Sequence, residues 1–362
     1  MIHSTDDVQL APLTTLRLGG PARRMLTAST EDELVGAVRD GDAAGERLLV
    51  LAGGSNVVIA DDGWDGTVVR VATRGVDVRT GTNGRVEVRV AAGESWDPLV
   101  ERLVYDGLCG VECLAGIPGS AGATPIQNVG AYGQEVSSSL TAVRVLDRQT
   151  GDVSEMSPAD CGLRYRSSAF KRSDRHLVLA VTFALERAPL SQPIAYAELA
   201  RALGVEPGER VPLARAREAV LELRRAKGMV LDAADHDTWS AGSFFTNPVL
   251  QPAAFAALEA RVREQLGDEV APPRFPQAGA GLKTSAAWLI ERAGFSRGDR
   301  RGAAGLSDKH ALALTNRGGA TASQLVAFAR EIADAVHHAF GVELHPEPVL
   351  VGIDWDPLDR SR

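Results

Sequence analysis

Positive charge and cysteine are both scarce in this chain of 362 residues. Lysine and arginine number 39 against 47 aspartate and glutamate, a net charge of −8 that repels polyanions and argues against nucleic-acid or membrane-surface binding. Cys109, Cys113 and Cys161 lack CxxC spacing, so we expect reduced thiols in a cytoplasmic protein and no metal site. No apolar run reaches the roughly 18 residues of a membrane span, and the first residues lack a signal-peptide pattern.

The chain does have the length and the apolar content for two domains, because hydrophobic residues make up 44% of it. Strand and helix patterns alternate up to about residue 188, where the composition changes, and the second half is more helical. Alternation at 13–18 predicts a strand, and alternation around 81–84 predicts a hairpin. Capping-box patterns at Thr30 and Thr321 predict helix starts. We therefore predict an α+β fold with domains 1–188 and 189–362.

The stretch 113–133 contains five glycines and two prolines, too many for a helix or the interior of a central strand. It is also too apolar for a solvated linker. Glycine lets a rigid partner approach the backbone, while proline stiffens the chain between glycines. A loop of this kind suits a large flat ligand with a charged tail, and the alternative is a tight loop between structural elements.

A second glycine turn, LAGGSN at 51–56, lies between two short apolar strand patterns. Consecutive amides at Gly53 and Gly54 can form an anion-binding nest, to which Ser55 and Asn56 add side-chain donors. The alternative is a hairpin turn. The pattern is not GxGxxG and no helix follows it, which excludes a Rossmann fingerprint.

Two charged side chains, those of Arg166 and Glu347, have sequence neighbours that make them candidate functional residues. Arg166, in the basic and aromatic stretch 163–171, offers a planar fork for a carboxylate, and a surface salt bridge is the alternative. Glu347 stands between two prolines, which restrict its backbone to extended geometry. A carboxylate held so rigidly is a candidate general acid or base, and a solvated turn residue is the alternative.

Two further stretches have a functional and a structural interpretation. Ser243 lies between a glycine and two phenylalanines, as a proton donor in a dry site or as an ordinary turn hydroxyl. The neighbourhood lacks the Gly-x-Ser-x-Gly pattern, which excludes a serine hydrolase. The cations at 224–227 end a helix pattern, where they complement its dipole or face a diphosphate.

Together, these motifs resemble the UDP-N-acetylenolpyruvoylglucosamine reductase family over nearly the whole chain. The resemblance rests on five motifs that occur in the family's order: LAGGSN at 51–56, GIPGS with QNVGAYG in 116–133, YRSSAFK at 165–171, AGSFFTNP at 241–248, and Pro346 with Glu347. Five ordered motifs are far more specific than any one of them.

The resemblance implies an FAD-binding fold of the vanillyl-alcohol-oxidase type up to about residue 188, followed by a smaller α+β substrate domain. FAD would be bound without a covalent tether. The residues implied in cofactor binding are Gly53, Gly54, Ser55, Asn56, Pro118, Gly119, Ser120, Gly122 and Gly130.

The implied substrates are UDP-N-acetylglucosamine enolpyruvate and NADPH. Tyr165, Tyr196, Lys227 and Asn247 would contact the sugar nucleotide, and Tyr196 resembles the tyrosine of a subgroup with a substrate-closing loop. We expect a monomer. Arg292 replaces a polar amide of some relatives, and the tail 353–362 receives no role.

The implied reaction passes a hydride from NADPH through FAD to the enolpyruvyl group. Arg166 and Glu347 would stabilise the resulting enediolate, and Ser243 would protonate the adjacent carbon. A flavin oxidase of the same fold is one rival, disfavoured because neither glycine loop contains a histidine for tethering. A silent nucleotide-sugar-binding protein is the other. NADPH oxidation that needs the enolpyruvyl substrate rather than oxygen separates all three.

Overall fold

The computed structural model describes residues 2–81, 84–277 and 281–355. By contacts, these residues form two compact units, each built from separate stretches of chain. The first unit comprises 2–8, 22–54 and 64–230, and the second comprises 9–21, 55–63 and 231–355. Residues 189–230 therefore pack with the first unit. The domain ranges 1–188 and 189–362 stay a prediction, and the last residues of the tail, 356–362, lie outside the described residues.

Helices and strands are both abundant in the described residues, as expected of an α+β fold. The α-helices there are α1 (Glu31–Ala43), α2 (Trp96–Tyr105), α3 (Ala197–Leu203), α4 (Leu213–Ala226), α5 (Pro252–Leu266), α6 (Ala286–Arg292) and α7 (Ala322–Phe340). The strands there are β1 (His3–Gln9), β2 (Pro21–Ala28), β3 (Leu48–Leu51), β4 (Val57–Ile59), β5 (Trp64–Val71), β6 (Val76–Thr80), β7 (Val86–Ala91), β8 (Leu108–Cys109), β9 (Gly130–Ala131), β10 (Gln134–Glu135), β11 (Leu140–Asp147), β12 (Val153–Met156), β13 (His176–Arg187), β14 (Val249–Leu250), β15 (Phe275–Pro276), β16 (Leu282–Lys283), β17 (Arg300–Arg301), β18 (Ala304–Leu306), β19 (Leu314–Asn316) and β20 (Val349–Val351).

The first unit contains a sheet ordered β1-β2-β5-β3, in which β5 pairs in parallel with both β2 and β3. Helix α1 connects β2 to β3. Its start was predicted correctly, because the Thr30 hydroxyl accepts a hydrogen bond from the Glu33 amide at 3.2 Å. Leu34 and Val38 then lie on its buried face.

A larger antiparallel sheet in the same unit is ordered β12-β11-β13-β7-β6. The pairing of β6 with β7 confirms the predicted hairpin, whose turn residues Thr82 and Asn83 lie outside the described residues. Trp96 of α2 packs on Phe183 of β13, with ring centroids 5.7 Å apart. The glycine-rich stretch rests on this sheet, because the Gly122 amide donates to the Ala92 carbonyl and the Ala92 amide donates to the Leu179 carbonyl.

The second unit is organised around α7. The capping box predicted at its start is present, between Thr321 and Gln324, and Gly341 ends the helix in a left-handed conformation with φ +67°. The apolar face of α7 forms the core, with these buried residues as predicted: Leu325, Phe328, Ile332, Val336 and Phe340. The last strand, β20, pairs in parallel with β4, and this places Val349 opposite Val57.

The strand predicted at 13–18 is wrong. A short 3₁₀ helix, Ala11–Leu13, ends there, and the chain continues as a turn. The Thr14 hydroxyl donates to the carbonyls of Ala11 and Leu18, both at 3.1 Å. A short hydroxyl side chain that satisfies nearby backbone groups competes with strand pairing, and this competition favours the turn.

All three cysteines are free and buried. Burial raises the pKa of the Cys113 thiol well above its usual range and raises the pKa of Cys161 to about 11. In the described part of the chain, no helix has both the length and the apolar content needed to cross a membrane.

Candidate active site

The two predicted glycine loops meet in the first unit, backbone against backbone. A side-chain carbon added at Gly53 would lie 2.7 Å from the Gly119 Cα, closer than any such contact tolerates. Gly119 has φ +118°, a conformation that side chains rarely adopt, and its carbonyl accepts a hydrogen bond from the Trp96 amide at 3.0 Å. Only glycine allows this approach.

Ser120 supplies the observation that tests whether these loops fit FAD. Its hydroxyl oxygen is buried and has no hydrogen-bond partner in the described residues. Gly122, two residues on, packs so closely that an added carbon would lie 2.4 Å from the Ala92 Cβ. A buried hydroxyl that needs a partner, beside backbone without side chains, suits the pyrophosphate of FAD.

The turn at 53–56 is not a hairpin. Strand β3, before it, pairs with β5, whereas β4, after it, pairs with β20. Gly54 has φ +59° and is buried. In the second unit, the Asn56 carbonyl accepts from the Val349 amide at 2.9 Å, and its side-chain amide is 3.4 Å from the Glu347 carbonyl. Within the second unit, Asn56 therefore bonds to the segment that carries the predicted carboxylate.

Arg166 lies at the tip of a two-residue turn closed by hydrogen bonds between Arg164 and Ser167. Its φ is +50°, an uncommon value for a residue with a side chain. The guanidinium donates to the Gly130 carbonyl at 2.9 Å and lies 5.6 Å from the centre of the Tyr165 ring. The structure thus brings together three predicted residues, Tyr165, Arg166 and Gly130.

Asn128 anchors this turn, although the sequence assigned it no role of its own. It is 1% exposed with φ +44°, and its side-chain amide donates to the Glu135 carboxylate at 2.8 Å and to the Arg164 carbonyl at 3.3 Å. Lys171 adds a bond from its ammonium to the Arg166 carbonyl at 2.8 Å. Non-glycine residues at positive φ cost conformational energy, and they cluster where geometry matters for function.

A second group in the first unit surrounds Lys227, which follows α4. Its ammonium binds the Glu198 carboxylate at 2.7 Å and lies 5.7 Å from the centre of the Tyr132 ring. The Tyr132 and Tyr196 rings meet edge to face, 5.6 Å apart. Burial raises the pKa of the Tyr132 phenol to about 12, which keeps it protonated. Tyr196 and Lys227 are therefore both neighbours of Tyr132, which was missed as a site residue although it lies between Ala131 and Gly133 of the quoted motif.

In the second unit, an antiparallel backbone contact brings together the segments that carry Ser243 and Glu347. The Glu347 amide donates to the Phe244 carbonyl at 2.8 Å, and the Thr246 amide donates to the His345 carbonyl at 3.1 Å. Phe244 and Phe245 are buried beside Trp355, with ring centroids 6.4 and 6.1 Å from the indole. The hydroxyl and the carboxylate thus come from adjacent backbone that a hydrophobic cluster holds in place.

Asn247 and Arg292 both belong to the surroundings of α6. The Asn247 side-chain oxygen accepts from the Ala286 amide at 2.9 Å, which satisfies a donor at the helix start. Arg292, at the helix end, is exposed, and its guanidinium lies 5.8 Å from the centre of the Trp288 ring. Packing on Trp288 accounts for Arg292 without a ligand.

Comparison with known proteins matches both halves of the chain. The family model of the FAD binding domain matches residues 22–157, and that of the UDP-N-acetylenolpyruvoylglucosamine reductase C-terminal domain matches 233–351. The UDP-N-acetylenolpyruvoylglucosamine reductase of Streptomyces coelicolor is 58% identical over 354 residues, which cover 97% of this chain and 91% of the relative. The chain belongs to the UDP-N-acetylenolpyruvoylglucosamine reductase family.

Further similarities agree with this family. The UDP-N-acetylenolpyruvoylglucosamine reductase of Thermobifida fusca is 55% identical over 347 residues, which cover 96% of this chain and 98% of the relative. The crystal structure of the UDP-N-acetylenolpyruvylglucosamine reductase from Thermus caldophilus has a TM-score of 0.65 at 25% identity, covering 97% of this chain and 99% of that one.

Family membership confirms the resemblance, the α+β fold with an FAD-binding domain, and an FAD-dependent oxidoreductase. The roles of Arg166, Ser243 and Glu347 stay predictions, as do the cofactor and substrate contacts of the other site residues. The tyrosine-loop subgroup stays a prediction too.

Proposed function

We propose that this chain reduces the enolpyruvyl group of UDP-N-acetylglucosamine enolpyruvate with NADPH, giving UDP-N-acetylmuramate for peptidoglycan synthesis. The observation that carries the proposal is the match of nearly the full chain to reductases of that name, at up to 58% identity with the relatives cited. FAD, when bound, carries the hydride between the two substrates.

The two glycine loops would hold the pyrophosphate of FAD. Gly53 and Gly119 leave the backbone bare, and the Ser120 hydroxyl is a buried donor in need of an acceptor. Gly54, Ser55 and Asn56 would contribute from the first loop. Pro118, Gly122 and Gly130 would contribute from the second motif and the segment that follows it. Hydrogen bonds from such groups to phosphate oxygens are charge-assisted and therefore strong.

Arg166, Glu347 and Ser243 would act on the enolpyruvyl group. The guanidinium of Arg166 stabilises the charge that develops on the substrate carboxylate, where preorganised donors act most strongly. Ser243 delivers a proton to the carbon next to that carboxylate. A serine hydroxyl is a weak acid, so Glu347 or Arg166 has to assist it. The close backbone contact between the Ser243 and Glu347 segments supports Glu347 as the assisting group.

Lys227, with Tyr196 beside it, would bind the diphosphate of the sugar nucleotide, since an ammonium is a compact charge for phosphate oxygens. The edge-to-face contact of Tyr196 with Tyr132 supports a place for Tyr196 over that diphosphate, as in the tyrosine-loop subgroup. Asn247 and Tyr165 would complete the contacts. We further propose a cytoplasmic monomer that binds neither nucleic acid nor membrane.

An air-free assay tests the function. The purified protein, loaded with FAD, should oxidise NADPH only when the enolpyruvyl substrate is added. A flavin oxidase would instead consume NADPH when oxygen is admitted and ignore the enolpyruvyl compound. A silent binding protein would bind UDP-sugars without oxidising NADPH under either condition. Purified protein that is colourless and cannot be reconstituted with FAD would refute the proposal outright.

A further inference from the structure

Arg224 frames the turn that carries Lys227. Its carbonyl accepts from the Lys227 amide at 3.1 Å and from the Met229 amide at 2.8 Å. Its guanidinium reaches around the same turn and donates to the Met229 carbonyl at 2.8 Å. Lys227 therefore stands at the tip of a turn that one arginine closes with both its main chain and its side chain.

The same guanidinium has a donor without an acceptor. Its Nε is buried and has no hydrogen-bond partner in the described part of the chain. Burial lowers the pKa of Arg224 to about 10, because the charged form loses water. A buried charge with an unmade hydrogen bond reduces stability, so packing alone gives no reason for an arginine here.

The glycine-rich stretch 113–133 packs on this side chain. A carbon added at Gly116 would lie 3.3 Å from the Arg224 Nε and 2.9 Å from the Leu221 methyl, so the glycine-rich stretch rests directly on α4. Tyr132 has the largest electrostatic effect on Arg224 among its ionisable neighbours, and each group favours the charged form of the other. Gly116 thus lies directly against the guanidinium.

We propose that Arg224 is a positioning residue that fixes Lys227 for the substrate's diphosphate and, through Gly116, steadies the loop that would hold FAD. The inference rests on the proposed function, because that function assigns Lys227 to the diphosphate of the substrate. Removal of the guanidinium should weaken the binding of both the sugar-nucleotide substrate and FAD, while the reacting groups stay in place.

Arg224→Met tests the proposal. The KM for the enolpyruvyl substrate should rise about ten-fold or more, as for a lost hydrogen bond to a charged group, while kcat falls less than about three-fold because binding is lost uniformly. The dissociation constant of FAD, measured by flavin fluorescence, should rise by a few-fold. Arg225→Met is the matched control, because Arg225 is exposed and pairs only with Glu218 at 3.4 Å among the described residues.

A double-mutant cycle separates positioning from a general loss of stability. In a Lys227→Met background, adding Arg224→Met should raise the KM less than about two-fold, because the group that Arg224 positions is already absent. A full ten-fold effect in that background would overturn the proposal. Wild-type KM and FAD binding in Arg224→Met, whatever its melting temperature, would overturn it as well.

Two further measurements cover the remaining outcomes. If Arg224→Met does not fold, Arg224→Lys replaces it as the test, because lysine keeps the charge but lacks the planar fork. The KM of Arg224→Lys should lie above that of wild type and below the roughly ten-fold increase expected for Arg224→Met. A wild-type KM and a wild-type FAD dissociation constant in Arg224→Lys would overturn the proposal.

If the wild-type protein fails to oxidise NADPH with the enolpyruvyl substrate, the proposed function fails. The Arg224 inference is then still decided by the dissociation constants of FAD and UDP, measured in wild type and in the variant.

Discussion

The first unit holds its proposed ligand groups by unusual backbone geometry, whereas the second holds Ser243 and Glu347 by ordinary hydrogen bonds between distant segments. Asn128, Tyr132 and Arg166 all have positive φ, and glycines allow the two loops to touch. In the second unit, Phe244 and Glu347 are joined through their main chains over a buried aromatic cluster. Groups held by backbone geometry should tolerate little change in side-chain size, while groups held by main-chain bonds should tolerate changes in side-chain chemistry.

Ser243→Ala should have the largest effect on the reaction with little effect on the fold. The main-chain bonds around Phe244 do not involve the hydroxyl, so the segment stays in place. The enolpyruvyl-dependent step should slow by about 10²–10³-fold, as for the loss of one essential donor, while NADPH still bleaches the bound FAD. Stopped-flow absorbance without oxygen measures both steps.

The control for this variant is Ser240→Ala, which removes a hydroxyl that accepts from the Gly242 amide at 3.2 Å. It should lower stability and change the rate less than about three-fold. Reoxidation at the wild-type rate in Ser243→Ala would remove Ser243 from the mechanism.

Glu347→Gln should come next, with turnover about 10²-fold lower and an unchanged melting temperature. Glutamine keeps the shape of the side chain and the main-chain bond to Phe244 but loses the acid–base function. General acid–base catalysis typically contributes about 10²-fold or more to an enzyme's rate. Glu343→Gln, an exposed change nearby, is the control in steady-state assays. Normal turnover in Glu347→Gln would show that this carboxylate takes no part in the mechanism.

Gly53→Val tests the other side of the comparison. The added side chain would collide with the Gly119 Cα, so we expect a loss of about 2 kcal/mol in unfolding free energy and weaker FAD binding. Gly36→Ala in α1 is the matched control, since a methyl there has no atom within 4 Å and should stabilise the helix by about 0.5–1 kcal/mol. Equal melting temperatures for the two variants would contradict the close loop contact.

Asp61→Asn should have the smallest effect, about 1 kcal/mol in unfolding free energy. In the second unit, the Asp61 carboxylate accepts from the amides of Ala322 and Ser323 at 2.6 and 2.9 Å, at the start of α7. Urea unfolding at pH 7 measures the loss, and Asp62→Asn, next in the chain and exposed, controls for charge.

The pH dependence of this contact has a definite sign. Burial alone would raise the pKa of Asp61, but the Ser323 hydroxyl and the two amides outweigh it and lower the pKa below its ordinary value. The stabilisation is therefore complete above the unfolded pKa, about 3.9, and disappears as the pH falls through the lower folded value. Asp61→Asn should lose less stability than wild type on acidification below about pH 4.

Local patterns predicted much of the fold. Capping-box patterns and apolar faces predicted α1 and α7, and Gly341 predicted the end of α7, because each of these signals depends on neighbouring residues. The strand predicted at 13–18 was wrong because the Thr14 side chain satisfies local carbonyls, which alternation of apolar residues does not reveal.

The site was less accessible to sequence reasoning. The glycine loops were recognised from composition, but the contact of Gly53 with Gly119 depends on tertiary packing. Tyr132 was missed as a site residue, because an aromatic ring in a glycine-rich loop has a common structural explanation. The cations at 224–227 were left open between the helix dipole and a diphosphate. The nearness of Ser243 and Glu347 followed only from family resemblance, since no spacing rule joins residues so far apart.

The buried thiols have a practical consequence for labelling. Alkylating reagents attack the thiolate, and burial keeps Cys109, Cys113 and Cys161 protonated at neutral pH by raising their pKa. A cysteine introduced in place of Tyr105, which is 89% exposed at the end of α2, would react far sooner with a maleimide dye. A fluorophore can therefore be attached at a chosen surface point while every native sulfur stays in place.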